Sequence, residues 1–278
     1  MIGHVVRPTP QTSHPMLSPG RWLSLLMLFA LIGSGAHADS VVMRGDPWYP
    51  VNLDPDSDTP GYVIEIARLA LQRGGHQLDY AIYPWERSVD GVRRGKIDCL
   101  PGVHRSTVPD FVFTSESLGI DYMAFYSRSD APPFHYRSLA DLQDKVLAVN
   151  GGYGYTDEMD AYINSASNSP ALQITRGDQP LQRNIRMLLA GRVDLVLESI
   201  PSVEQTAKQM GVANKLKRAA LLPGSPHIYI ACSPQKPTSL EYVKALDEGI
   251  RELRRSGELQ RILDKYGMKD WQDDTDEQ

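Results

Sequence analysis

The chain has 278 residues, 41% hydrophobic and 23% charged. That composition is ordinary for a soluble globular protein and leaves room for one large domain or two modest lobes, each with its own core. The formal net charge is −5; no basic excess exists to neutralise a phosphate backbone, which argues against nucleic acid as a partner.

The N-terminal segment reads as a targeting sequence. Arg21 precedes an apolar run from Trp22 to Ile32, and small residues follow, ending in Ala36-His37-Ala38. A positive flank, a short apolar stretch and an A-x-A site make a secretory signal peptide. The run is short for a membrane span. Residues 1–38 are predicted to be a signal cleaved near Ala38, which implies a periplasmic protein. An uncleaved anchor is the competing reading, and Met16 an alternative start.

Residues 40–44 predict a strand, which the loop Gly45-Asp46-Pro47-Trp48-Tyr49-Pro50 breaks. Gly61 opens a helix with Val63, Ile66, Ala67 and Ala70 on one face, stopped by Gly74-Gly75. Leu78, Tyr80 and Ile82 alternate as a half-buried strand. A helix carrying Val89 and Val92 stops at Gly95, and residues 97–100 predict a third strand. This β-α-β-α-β order belongs to a mostly parallel sheet. It returns as a strand at 144–149, a helix at 156–163, a strand around Ile174, a helix at 181–189, a strand at 193–197 and a helix at 202–210. A strand at 228–232, a long helix with Leu240, Val243, Leu246, Ile250 and Leu253 at helical spacing, and a short helix through Tyr266 complete the chain. The tail, residues 273–278, is acidic.

One local echo links the two halves. Arg94-Gly95-Lys96-Ile97-Asp98 matches Ala190-Gly191-Arg192-Val193-Asp194. Each reads as helix end, capping glycine, cation, β-branched residue, Asp, strand. A duplicated lobe and a generic helix-to-strand junction both produce it, and the equivalent placement in two blocks favours duplication.

Catalytic and metal motifs are missing. His76, His104, His135 and His227 have no HExxH or Cys-x-x-Cys neighbours. Ser233-Pro234-Gln235-Lys236 matches a bare S-x-x-K, but its proline breaks the helix that chemistry uses. Gly151-Gly152-Tyr153-Gly154 lacks the Gly-Lys-Ser/Thr of a phosphate loop. It joins a strand to a helix, where free N–H groups could hold a polar ligand. No cofactor and no metal are predicted, and no enzyme activity. The two cysteines, Cys99 and Cys232, are compatible with a disulfide in an exported protein or with two buried thiols.

Taken in order, these segments resemble the type 2 periplasmic solute-binding proteins, family 3, which includes polar amino-acid receptors of ABC importers. The resemblance runs from about Val41 to Met268. It is carried by the Pro-rich loop after the first strand, Gly61-Tyr62-Val63-Ile64-Glu65-Ile66-Ala67, Pro84-Trp85-Glu86-Arg87, Gly95-Lys96-Ile97-Asp98, Ser138-Leu139-Ala140-Asp141-Leu142, Gly257-Glu258-Leu259-Gln260-Arg261-Ile262 and Lys265-Tyr266-Gly267. It implies an α/β fold of two lobes, with mostly parallel sheets, helices on both faces and two crossover hinge strands. Lobe 1 would be residues 39–125 and 227–272, and lobe 2 residues 126–226. It implies a monomer that traps a small polar, amino-acid-like solute for an ABC importer's membrane permease. A membrane sensor as partner, or a dehydratase-type enzyme on this fold, are the alternatives. It also brings the strands of Cys99 and Cys232 side by side, favouring the disulfide.

The resemblance places ligand contacts at Trp48 or Tyr49, at Trp85, on Gly102, Val103 and Arg105, at Asn150, Tyr153, Gly154 and Tyr155, and at Glu198 and Ser199. Aromatic rings there would stack on the solute. Two departures stand out. Amino-acid receptors carry Thr-Pro-Glu-Arg after the third strand, whose Arg clamps the α-carboxylate with paired hydrogen bonds. Here the segment is His104-Arg105-Ser106-Thr107-Val108-Pro109, and Arg105 is the nearest substitute. The usual ammonium-binding Asp aligns with Ser199, while strand alternation turns the adjacent Glu198 to the other face.

Overall fold

The structure, a computed structural model, describes residues 1–5 and 39–272. Most of the predicted signal peptide and the acidic tail lie outside the described residues. Among those described, no helix is long and apolar enough to cross a membrane.

Residues 39–272 build two sheets. The first contains β1 (Ser40–Gly45), β2 (Gln77–Ile82), β3 (Cys99–Val103), β4 (Val112–Phe113), β5 (Gly119–Ile120) and β11 (His227–Cys232). Its order is β2-β1-β3-β11-β4, with β5 pairing the start of β11. The second contains β6 (Met123–Arg128), β7 (Leu147–Asn150), β8 (Leu172–Thr175), β9 (Leu195–Ser199) and β10 (Leu216–Leu221), in the order β10-β6-β9-β7-β8. Each sheet has three parallel strands, β2-β1-β3 and β9-β7-β8, completed by antiparallel neighbours. The chain changes sheet between Ile120 and Met123, and returns between Leu221 and His227.

Helices cover both faces of each sheet. On the first, α1 (Tyr62–Arg73), α6 (Ser239–Arg255) and α7 (Glu258–Asp264) enclose the larger core, with Ile64, Ile66, Leu246 and Ile250 fully buried. α1 and α6 approach closely because Gly249 has no side chain; a Cβ there would sit 2.5 Å from the Ala70 Cα. The opposite face is packed by α2 (Trp85–Arg93), through Val92 against Leu100 and Val103. On the second sheet, α3 (Asp157–Ser165) covers one face, and α4 (Pro180–Leu189) and α5 (Ile200–Gln209) the other.

The echoed pentapeptides have the same structure. Gly95 and Gly191 both take positive φ, 70° and 67°. Asp98 Oδ2 accepts the Val42 N–H at 2.7 Å, and Asp194 Oδ2 accepts the Val146 N–H at 2.8 Å. Each aspartate thus anchors the backbone at the first parallel strand of its own sheet. Matching bonds in matching places support duplication of one βαβ design.

β3 and β11 lie side by side with Cys232 opposite Cys99 in register. The two are joined by a disulfide spanning 133 residues of sequence. β4, β5, β6 and β10 have no counterpart among the strands predicted from sequence. β3 also starts two residues later than expected, because Ile97 turns under Gly91 instead of entering the sheet.

Candidate functional site

The parallel strands of both sheets point their C-terminal ends at one another, the usual place for a ligand in an open α/β sheet. A cavity lies there, lined by residues from both sheets. The segment after β1 supplies Asp46, Trp48 and Asn52, and the start of α2 supplies Trp85. β3 and the loop beyond it supply Pro101, Gly102, Val103, His104 and Thr107. The second sheet contributes Tyr153 and Gly154 after β7, and Glu198 from β9. Asp121 reaches in from the first crossing between the sheets.

The walls are aromatic. Trp48 stands edge-on to His104 with centroids 5.9 Å apart, and Trp85 edge-on to Tyr153 at 6.1 Å. Gly102 has φ of 61°, and a Cβ there would meet Val51 at 2.6 Å and the Trp48 ring at 3.3 Å. Glycine lets that ring lie against the backbone.

The polar lining is acidic. Glu198 is buried; it accepts hydrogen bonds from the Ser199 N–H at 2.8 Å and from Asn150 Nδ2. Burial pushes its carboxyl up to about 8, and the charges of Asp121 and Asp46 push the same way. Burial raises Asp46 to about 6, opposed by the hydrogen bond it accepts from the Tyr153 hydroxyl. Burial, then the Asp46 charge, hold the Tyr153 phenol protonated far above its ordinary range. Asp121 and His104 are both buried, with Nε2 and Oδ2 3.3 Å apart. His104 Nε2 nevertheless makes no hydrogen bond.

Contacts from the first sheet's side to the second's close the cavity. Trp85 Nε1 donates to the Gly152 carbonyl at 2.6 Å. Tyr153 donates to Asp46. Arg176 pairs with Glu86 at 3.3 Å at the rim. Ser202 Oγ donates to the Tyr49 carbonyl at 3.2 Å.

Of the twelve contact positions expected from sequence, Trp48, Trp85, Gly102, Val103, Tyr153, Gly154 and Glu198 line the cavity together. Asn150 and Tyr155 stand behind it. Asn150 holds Glu198 and accepts from Asn184 Nδ2 at 3.0 Å, while the Tyr155 hydroxyl accepts the Asn150 N–H at 2.9 Å. Tyr49 and Ser199 line an adjoining groove, which shares Trp48 and Asp121 with the cavity. β9 does turn Glu198 and Ser199 to opposite sides, and Glu198 is the one that faces the cavity. Arg105 lies outside the lining. Its guanidinium stacks on Tyr229 at 4.1 Å and Phe113 at 4.9 Å, and donates to the Thr114 carbonyl at 2.8 Å. Three partners on the first sheet's edge hold it away. Asp46, Asn52, Pro101, His104, Thr107 and Asp121 were not among the expected contacts. Asp46 carried a signal, being the acid that ends the first strand before a proline; Asp121 carried none.

No family model matches the chain, and no curated protein matches it by sequence. Solved structures do match. A histidine kinase sensor domain with similarity to periplasmic binding proteins superposes with a TM-score of 0.68 at 22% identity, covering 82% of this chain and 96% of that one. The arginine-, lysine-, histidine-binding protein ArtJ from Geobacillus stearothermophilus gives 0.65 at 14% identity, covering 83% and 96%. A mutant of ArgBP from T. maritima gives 0.65 at 16% identity, covering 83% and 96%. Residues 39–272 therefore adopt the two-lobed fold of the periplasmic binding proteins.

Proposed function

We propose that this chain is an exported, monomeric solute-binding protein that closes its two lobes around a small polar, amino-acid-like solute and delivers it to the membrane permease of an ABC importer. The observation that carries the reading is the interlobe cavity, with aromatic walls and buried acids, bridged by Trp85–Gly152, Tyr153–Asp46 and Arg176–Glu86. Such contacts form only when the lobes meet, so the site is completed by closure. The hinge is read at the two changes of sheet, residues 121–122 and 222–226. The expected signal peptide and the likeness of the fold to periplasmic binding proteins support a periplasmic location.

The histidine kinase sensor domain among the fold neighbours favours one second reading, in which the closed form signals to a membrane sensor. Catalysis has less support. Glu198, His104 and Asp121 lie in the cavity, but no nucleophile is paired with a base there. A thermal-shift screen with amino acids, polyamines, organic acids and sugars tests the binding reading. A ligand at one hundred times its Kd is expected to stabilise by about 2.7 kcal/mol. A panel that leaves the melting temperature unmoved, with isothermal titration also silent, rejects it. Recovery of the bound ligand chemically unchanged is expected of a binder, and turnover would convert the reading to an enzyme.

A further inference from the structure

The cavity's charge goes further than the fold. Its lining holds three carboxylates, Asp46, Asp121 and Glu198, and no lysine or arginine. The nearest candidate for a carboxylate clamp, Arg105, is bound to Thr114, Tyr229 and Phe113. We propose that the site selects a small organic cation, an alkylammonium or alkylguanidinium without a carboxylate. This rests on the binding reading above and names its substrate class.

Four observations converge on it. The first is the acid lining, which attracts a cation and repels a carboxylate at close range. The second is the aromatic wall of Trp48, Trp85 and Tyr153, since ring faces attract ammonium and guanidinium groups. The third is His104. It is 5% exposed and lines the cavity, and its Nε2 lies 3.3 Å from Asp121 Oδ2 without the alignment of a hydrogen bond. A buried polar atom left in that state calls for a partner from the ligand or its water.

The fourth concerns the place where a carboxylate would otherwise go. The N-terminus of α3 follows Tyr153 and Gly154, and a helix N-terminus is a ready anion site. Here two backbone donors at that end are engaged by the chain itself. Thr156 Oγ1 accepts the Met159 N–H at 3.3 Å, and Asp160 Oδ1 accepts the Tyr155 N–H at 3.0 Å. Asp157, Glu158 and Asp160 all stand in its first turn and offset the dipole. An anionic end of the solute therefore has no clamp arginine in the lining, and meets a helix end partly capped and flanked by three acids. A metal ion is a poorer match for the acids, because among the described residues no three His, Cys, Asp or Glu side chains converge closely enough to hold one.

The test compares each amine with its carboxylated parent: agmatine with arginine, cadaverine with lysine, putrescine with ornithine. Isothermal titration of the mature chain at pH 8 is expected to show at least one amine binding at least about tenfold tighter than its parent. Glu198→Gln is expected to weaken that amine and narrow the gap, with circular dichroism checking the fold. A second variant, Asp121→Asn, gives the same reading if the first does not fold. An amino acid that binds as tightly as its amine overturns the cation assignment and leaves the binding function standing. So does a sugar or organic acid that binds when no amine does. A protein that binds nothing in the whole panel overturns both.

Discussion

Gly154→Ala is expected to block closure while leaving each lobe folded. A Cβ built on Gly154 would stand 1.9 Å from Thr107 Oγ1, 3.2 Å from His104 Nδ1 and 3.3 Å from Thr107 Cβ. Gly154 follows β7 of the second sheet, and Thr107 and His104 follow β3 of the first, so the clash exists only when the lobes meet. Gly154 does not take positive φ, so alanine fits the local backbone. Thr107 can rotate its hydroxyl away, but its Cβ and the buried His104 ring stay close. Overpacking of this kind costs about 1–3 kcal/mol, which is about five- to one-hundred-and-fifty-fold in Kd. The assay is isothermal titration with the tightest solute found by the screen, beside melting of the ligand-free protein. Affinity should fall within that range while the ligand-free melting temperature stays within about 2 °C. Thr107→Ala should restore part of the loss, because it removes the 1.9 Å contact and keeps the 3.2 and 3.3 Å ones. Native affinity in Gly154→Ala would refute closure in this geometry.

Three further outcomes are expected. Arg105→Ala should leave solute affinity within about twofold and cost about 1 kcal/mol of stability through its lost stacking on Tyr229; a large loss of affinity would return Arg105 to the site. Affinity for a permanent organic cation should rise by about tenfold or more from pH 6 to pH 8, because the carboxyls raised to about 6 at Asp46 and about 8 at Glu198 must give up protons to meet it. The titratable groups around Glu198 there are the acids Asp46, Asp121, Tyr153 and Tyr155, with His104 against Asp121. A flat affinity profile, or one unchanged by Glu198→Gln, would contradict this. Reduction of the Cys99–Cys232 bridge should lower the melting temperature by about 10 °C or more, since the chain-entropy model gives up to about 5 kcal/mol for a loop of this length; an unchanged melting curve would mean that the bridge is not formed.

Much of the fold was legible because its signals are local. Gly61, Gly74-Gly75, Gly95 and Gly257 mark helix ends that the structure keeps. The β-α-β-α-β order follows from apolar spacing alone. β10 was not legible. Lys217 and Arg218 interrupt its pattern, as charges do on an edge strand exposed to chance pairing. β6 is buried along nearly its whole length and so shows no alternation to mark it as a strand.

The site was legible where one residue announces itself. Trp48, Trp85, Tyr153 and Glu198 sit beside strand ends and turn signals that sequence shows. Asp46, His104 and Asp121 act as a set only because three distant segments meet, and no spacing rule joins them. Arg105 is the converse. Its neighbours in sequence point to the cleft, yet β11 and β4 bring Tyr229 and Phe113 beneath it and capture the guanidinium. With Arg105 held away and three acids in the lining, the preference proposed for the cavity is for cations.

Capture by closure is open to small-angle scattering, with the mature chain measured alone and saturated with the tightest solute from the screen. A smaller radius of gyration is expected with solute, and a bound-state curve that matches the closed form bridged by Trp85–Gly152 and Tyr153–Asp46. Identical curves with and without a solute that titration shows to be bound would contradict it.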